Sequence, residues 1–141
     1  MAIIEPGGGR VFKRMNDMTV KVKSSDTNGT YEMCEEKCPP GFESRRHMHA
    51  KDFETFYMVS GSATWEVGDE TVLAVKGHTI HIPPNTPHKV KSDEGCEMIC
   101  IFGPGQQEGQ FEEMSNLTEE QQQDDALKKS ILSKYNMIPL E

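Results

Sequence analysis

From Met18 onward, apolar and polar positions alternate. In "MTVKVKS", residues 18–24, the period of two is that of a half-buried strand. Runs of the same kind follow in "TYEMCEEKC", "FETFYMV" (53–59), "SATWEV" (62–67), "TVLAV" (71–75), "TIHI" (79–82), "HKVK" (88–91) and "CEMICIF" (96–102). Between them stand "PPG", "SG", "GDE", "KG", "PPNTP" and "SDEG", which are turn chemistry. Short strands at close, regular spacing predict an all-β antiparallel sandwich or barrel, and no βαβ alternation is present. "RVFKRM" reads as a short first strand after the flexible lead-in "EPGGGR", so residues 1–17 are taken as an N-terminal arm and 18–104 as the β-domain.

After "GPG" (103–105) the pattern changes. A Gln- and Glu-rich stretch reads as linker, and "TEEQ" from Thr118 has the form of a capping box. Beyond it Leu127, Ile131 and Tyr135 share a helical face, with Asp124 and Asp125 early and Lys134 late, as the helix dipole favours. Residues 105–141 are therefore expected to be a linker followed by one α-helix.

Composition narrows the function. A chain of 141 residues is one domain with one core. With 23 acidic against 15 basic residues and a net charge of -8, it is a poor partner for nucleic acid. No window approaches the roughly 18 apolar residues of a membrane span. "MAIIEPGGGR" has neither the basic flank nor the apolar stretch of a signal peptide, so a cytoplasmic location is expected. The four cysteines form two pairs, Cys34/Cys38 and Cys96/Cys100, at a spacing that zinc sites allow. On strands, positions four apart lie on one face but far along it, so packing or surface roles are expected rather than a four-cysteine site or disulfides.

The candidate chemistry lies in "GFESRRHMHAKDFETFYMVSG", residues 41–61. If "RRHMH" is extended, His47 and His49 project from one face about 6–7 Å apart. Glu54 opens the next strand, and His88 sits where the Pro-stiffened "PPNTPHKV" re-enters a strand. Histidines scattered at random on a surface are the simpler explanation for any one of them. Three imidazoles and a carboxylate at strand-forming intervals instead suit a first-row divalent metal.

At these residues the chain resembles the cupin family. Gly41, His47, His49, Glu54 and Gly61 match that family's first motif without a gap. Gly77, Pro83 and His88 match its second motif, with Asn85 in place of the second glycine and Ser92 in place of the final asparagine. Asn tolerates positive φ, so Asn85 is expected to make the same turn, and Ser92 reads as a surface-turn change. The likeness spans residues 29–104. "HAKDFETFYMVSGSATWEVGDE" and "IPPNTPHKV" look most like small cupins of the quercetin-dioxygenase-like group. The resemblance implies a jelly-roll β-barrel of roughly six to eight strands, with one divalent transition metal ion (Fe, Mn, Ni, Co, Cu or Zn) in its mouth. It also implies a homodimer that exchanges edge strands, for which residues 10–24 or the C-terminal helix are available.

Strand parity extends the site past the ligands. Arg45, two before His47, shares the inward face if the strand already runs there; otherwise it is solvated at the rim. Arg46 faces away. From Glu54, parity sends Phe56 and Met58 inward, and Tyr57 and Val59 outward. Met98, Cys100 and Phe102 share one face of the last strand. Arg45, Phe56, Met58 and Phe102 are thus the expected substrate contacts. His81 reads as outward or beside the ligands, and His78 as solvent-exposed. Three functions compete. A dioxygenase acting on a small enol- or hydroxyl-bearing, aromatic substrate with O2 would use Glu54 as ligand or base. A metal-assisted lyase or isomerase needs a separate base, for which Tyr57 and His81 are at hand. A non-catalytic domain would hold a small molecule without chemistry.

Overall fold

The alternating runs pair as antiparallel strands throughout the computed structural model, which describes residues 1–141. The strands are β1 (Arg10–Lys13), β2 (Asp17–Val22), β3 (Glu32–Cys38), β4 (Phe42–Glu43), β5 (His47–His49), β6 (Phe53–Val67), β7 (Glu70–Val75), β8 (Thr79–Ile82), β9 (His88–Ser92), β10 (Cys96–Gly103) and β11 (Met137–Pro139). Two helices, α1 (Gln107–Ser115) and α2 (Asp125–Lys134), follow β10. The strand order is β1-β2-β3-β10-β6-β9-β5-β11, with β4 on β9 and both β7 and β8 on β6. This single sheet curls on itself into a jelly-roll barrel. None of its helices is long and apolar enough to cross a membrane.

The "SG" at 60–61 does not separate two strands as its composition predicts. β6 runs through it for 15 residues, pairing with β8 and β10 in its first half and with β7 and β9 in its second. Gly61 makes this corner possible. It has φ 74°, and a Cβ there would stand 2.2 Å from the Gly95 carbonyl oxygen. No side chain fits, and the left-handed backbone favours glycine as well.

Inward positions fill the barrel. Trp65, Phe102, Met58 and Met98 are among its largest fully buried side chains. Phe12 of β1 is buried in the same cluster. The N-terminal arm therefore ends inside the barrel's sheet, with β1 the edge strand beside its own β2 (Arg10 opposite Val20).

The C-terminal segment departs furthest from expectation. The stretch read as linker holds α1, which buries Gln107, Gln110 and Phe111. Thr118 and Gln121 exchange the two hydrogen bonds of a capping box, but the turn they start is a short 3-10 turn, Gln121–Gln123. The second helix is capped separately, by Asp124 accepting from the Leu127 N–H at 3.0 Å. After it, β11 adds to β5 as a further antiparallel strand.

Glu32 holds α1 to the barrel. It is 0% exposed, and its carboxylate accepts from the backbone N–H groups of Gln107 at 2.5 Å and Glu108 at 3.1 Å. A negative charge at a helix N-terminus answers both the open N–H groups and the dipole. Glu32→Ala is expected to destabilise the protein by about 2–3 kcal/mol in urea unfolding, the range for losing charge-assisted bonds in a buried place. A change within about 0.5 kcal/mol would mean that α1 docks through Phe111 alone.

Candidate metal centre

Three strands deliver the four candidate ligands. His47 and His49 lie on β5, and the β5–β9 ladder sets His47 opposite His88. Glu54 on β6 stands between Ile82 of β8 and Phe102 of β10. The expected side-by-side projection of His47 and His49 holds: their ring centroids are 5.2 Å apart, with His88 at 4.3 Å from His47 and 5.7 Å from His49. One ligand atom from each of the four residues lies within 4.8 Å of all the others. The Glu54 carboxylate spans two of the rings, Oε1 at 3.3 Å from His49 Nε2 and Oε2 at 2.9 Å from His88 Nε2.

Backbone carbonyls set which nitrogen is free. His47 Nδ1 lies 2.8 Å from the Arg45 carbonyl and His88 Nδ1 lies 3.0 Å from that of Thr86. With Nδ1–H donating, each ring turns an Nε2 lone pair to the centre, the usual second-layer arrangement of a metal-binding imidazole. His49, Glu54 and His88 are buried, and His49 Nε2, His88 Nε2 and Glu54 Oε2 meet no hydrogen-bonding group other than one another. Convergent lone pairs in a dry place repel one another unless a cation or protons lie between them.

The titration pattern follows from the same geometry. Burial, then the neighbouring His88, pushes the His47 imidazolium down to about 4, so the ring is neutral at neutral pH. Burial also opposes charge on His49, but the Glu54 carboxylate outweighs it and the pKa rises. Burial works to raise Glu54 in turn, and the facing His49 and His88 pull it well below the usual carboxylate range. An ionised Glu54 carboxylate and a neutral His47 ring, facing two further imidazoles, make a donor set that fits a first-row divalent ion.

The cluster opens on a cavity of about 1060 Å³ walled by the barrel and both helices. Phe56 and Phe102 line it as parity predicts. Arg45 also borders it, but residues 44–46 are not strand, so parity stops short of Arg45 and it is exposed at the rim. Met58 is a correction. It shares the Phe56 face but is 0% exposed, stands opposite Met98 and packs in the core rather than lining the cavity. Tyr57 and His81 are exposed on the outside, with His81 Nδ1 at 2.9 Å from Thr55 Oγ1. Neither can serve as a base in the cavity. His78 is exposed as expected.

Trp65 and Glu36 are among the lining residues that the strand pattern did not single out. Trp65 tilts against Phe56 at 4.6 Å between ring centroids. Glu36 of β3 shares the inward face of Glu32, Cys34 and Cys38, standing opposite Met98 and Met18. Burial, reinforced by Glu54, pushes its carboxyl up to about 8, with Arg14 opposing. Glu36 is therefore a largely neutral acid in the same cavity as the metal cluster.

Residues 34–102 match the family model described as "Cupin domain". They form a cupin domain. The His-x-His pair, Glu54 and His88 all lie within it. The chain is 33% identical over 68 residues to an uncharacterized protein of Methanocaldococcus jannaschii, covering 47% of this chain and 54% of that one. It is 27% identical over 97 residues to 1-hydroxy-2-naphthoate 1,2-dioxygenase of Nocardioides sp., covering 69% of this chain and 24% of that enzyme. The chain thus spans about half or less of the length of these curated relatives. Among solved structures, an RmlC-like cupin from Shewanella frigidimarina superposes with a TM-score of 0.68 at 16% identity, over 77% of this chain and 96% of that one. That likeness concerns the fold alone.

The two departures from the cupin motif resolve differently. Asn85 adopts φ 61°, the left-handed turn that glycine would make. Ser92 is not on a surface turn: it is 1% exposed and its Oγ donates to the Ser62 carbonyl at 2.6 Å. That bond ties the end of β9 to the corner of β6.

Proposed function

We propose that this cupin is a metal-dependent dioxygenase acting on a small aromatic substrate that carries an enol or hydroxyl group. The observation that carries the reading is the three-histidine, one-carboxylate cluster opening on a cavity walled by Phe56, Trp65, Phe102 and Phe111. Aromatic walls with a few polar groups suit a flat organic molecule better than a sugar. The relative that acts on a hydroxynaphthoate supports the same class.

His47, His49, Glu54 and His88 would hold the ion, which when bound supplies Lewis acidity and, for Fe, Mn, Ni, Co or Cu, a redox-capable centre. The protein's own residues do the rest. The aromatic walls orient the ring and keep water out. Glu54, held well below the usual carboxylate range and so a weak base, would serve as a ligand. It could take a substrate proton only from a hydroxyl acidified by the bound ion. Arg45 at the rim is available to a substrate carboxylate. A cytoplasmic homodimer is the setting we infer for this chemistry.

Glu36 favours a second reading, a non-oxidative lyase or isomerase. A neutral acid separate from the metal cluster is what proton shuttling beside a carbonyl requires. Oxygen uptake decides between the two. With the metal-loaded protein and 1-hydroxy-2-naphthoate or a flavonol, the dioxygenase reading expects stoichiometric O2 consumption and no product without oxygen. Anaerobic conversion that Glu36→Gln abolishes would replace it with the lyase or isomerase reading.

A further inference from the structure

All four cysteines are buried free thiols, and the β3–β10 ladder sets them opposite one another, Cys38 with Cys96 and Cys34 with Cys100. Directly opposed residues of an antiparallel pair have Cα atoms about 4.5–5.5 Å apart. That lies inside the roughly 4.4–6.8 Å that a disulfide spans. Each pair therefore stands at a strand-to-strand separation that a disulfide can span.

The pairs differ in access and in reactivity. Cys34 and Cys100 are 0% exposed, sealed in the middle of the core. Cys38 and Cys96 both line a surface pocket of about 610 Å³, together with Arg14, Lys37, Pro40 and Ser60. The main chain is irregular there: Gly95 has φ 89°, and the β10–β6 register shifts between Glu97 and Met98. The thiols differ in the same sense. A hydrogen bond from Cys38 holds Cys96 down to about 7 and, with burial, pushes Cys38 itself well up, while burial pushes Cys34 and Cys100 well up. Reactivity follows thiolate character and reach.

We propose that Cys38 and Cys96 are a peroxide-oxidised dithiol that closes into a disulfide stapling β3 to β10. Cys96, as thiolate, attacks one peroxide oxygen. The O–O bond breaks, hydroxide leaves, and Cys96 becomes a sulfenic acid. Cys38 then gives up its proton and attacks the Cys96 sulfur. The S–O bond breaks and water departs. In sum the two thiols lose two electrons and two protons, and one hydrogen peroxide becomes two waters. Cys34 and Cys100 stay reduced.

The staple encloses the whole metal-binding segment, since His47, His49, Glu54 and His88 all lie between Cys38 and Cys96. Closing that loop restricts the unfolded chain, so the oxidised form should unfold at a higher temperature.

The test treats the full-length protein with hydrogen peroxide and maps its peptides by mass spectrometry without reduction. The expected result is a Cys38–Cys96 linked pair, reversed by dithiothreitol, with Cys34 and Cys100 still alkylatable. Cys38→Ser should leave a Cys96 sulfenic acid that dimedone traps, and Cys96→Ser should leave Cys38 unmodified. The dimedone adduct is read on the peptide, so it reports on Cys96 even if the variant is less stable. Four free thiols after treatment, direct passage of Cys96 to the sulfinic acid in the unmutated protein, or a Cys34–Cys100 link formed first would each overturn the proposal.

Discussion

Replacing His47 and His49 together with alanine is expected to take bound first-row metal from about one equivalent per chain to background. Elemental analysis of untagged protein beside the double variant measures it directly. Both rings lie within 4.8 Å ligand-atom reach of Glu54 and His88, so the variant keeps only two donors, too few to hold a first-row ion tightly. One buried and one half-buried imidazole are lost together, so the metal-free variant should unfold close to the metal-free parent. The identity of the ion carries its own weight. Fe, Mn, Ni or Cu would support oxygen chemistry, and stoichiometric Zn would favour a lyase or isomerase. A parent protein that takes up no metal even after reconstitution would leave a small-molecule-binding barrel and end the enzyme reading.

Gly61→Ala is expected to be the most destructive single methyl group in the chain. At φ 74° a side chain costs about 1–2 kcal/mol. The new Cβ would also stand 2.2 Å from the Gly95 carbonyl oxygen and 2.8 Å from the Cys96 Cα. Both are backbone atoms, one of the turn entering β10 and one of its first residue, so relief means moving the start of β10 away from β6. A total near 4 kcal/mol or more follows, a large part of the roughly 5–15 kcal/mol that holds a domain of this size. Gly77→Ala is the control. Gly77 has φ 93°, but its Cβ would meet nothing within 4 Å, so only the backbone penalty of about 1–2 kcal/mol applies. Urea midpoints of the two variants separate these contributions. Equal losses would show that the corner of β6 has slack.

The ligands were legible because their signal is local. A His-x-His on one strand face, a Glu opening the next strand and a His after a proline turn can each be placed by parity. The missed parts depend on contacts distant in sequence. α1 buries two glutamines beside a single phenylalanine, so it leaves no apolar stripe to find. β11 is three residues long and exists through pairing with β5. Glu36 was hidden because "EMCEEKC" carries glutamates on both faces of β3. Arg45 and Met58 mark where parity fails: Arg45 precedes the strand, and Met58 lies on the correct face but opposite Met98, where the core has closed.

Trp65 is the chain's one tryptophan, 1% exposed and tilted against Phe56 in the cavity wall. The indole emission of the whole protein therefore originates in the wall of the cavity on which the metal cluster opens. A paramagnetic ion seated among the histidines should quench it, whereas zinc should leave its intensity largely intact. An aromatic guest between the walls should shift or quench it again. Occupancy of the centre and of the cavity can thus be titrated separately by fluorescence, on unlabelled protein and before any turnover is known.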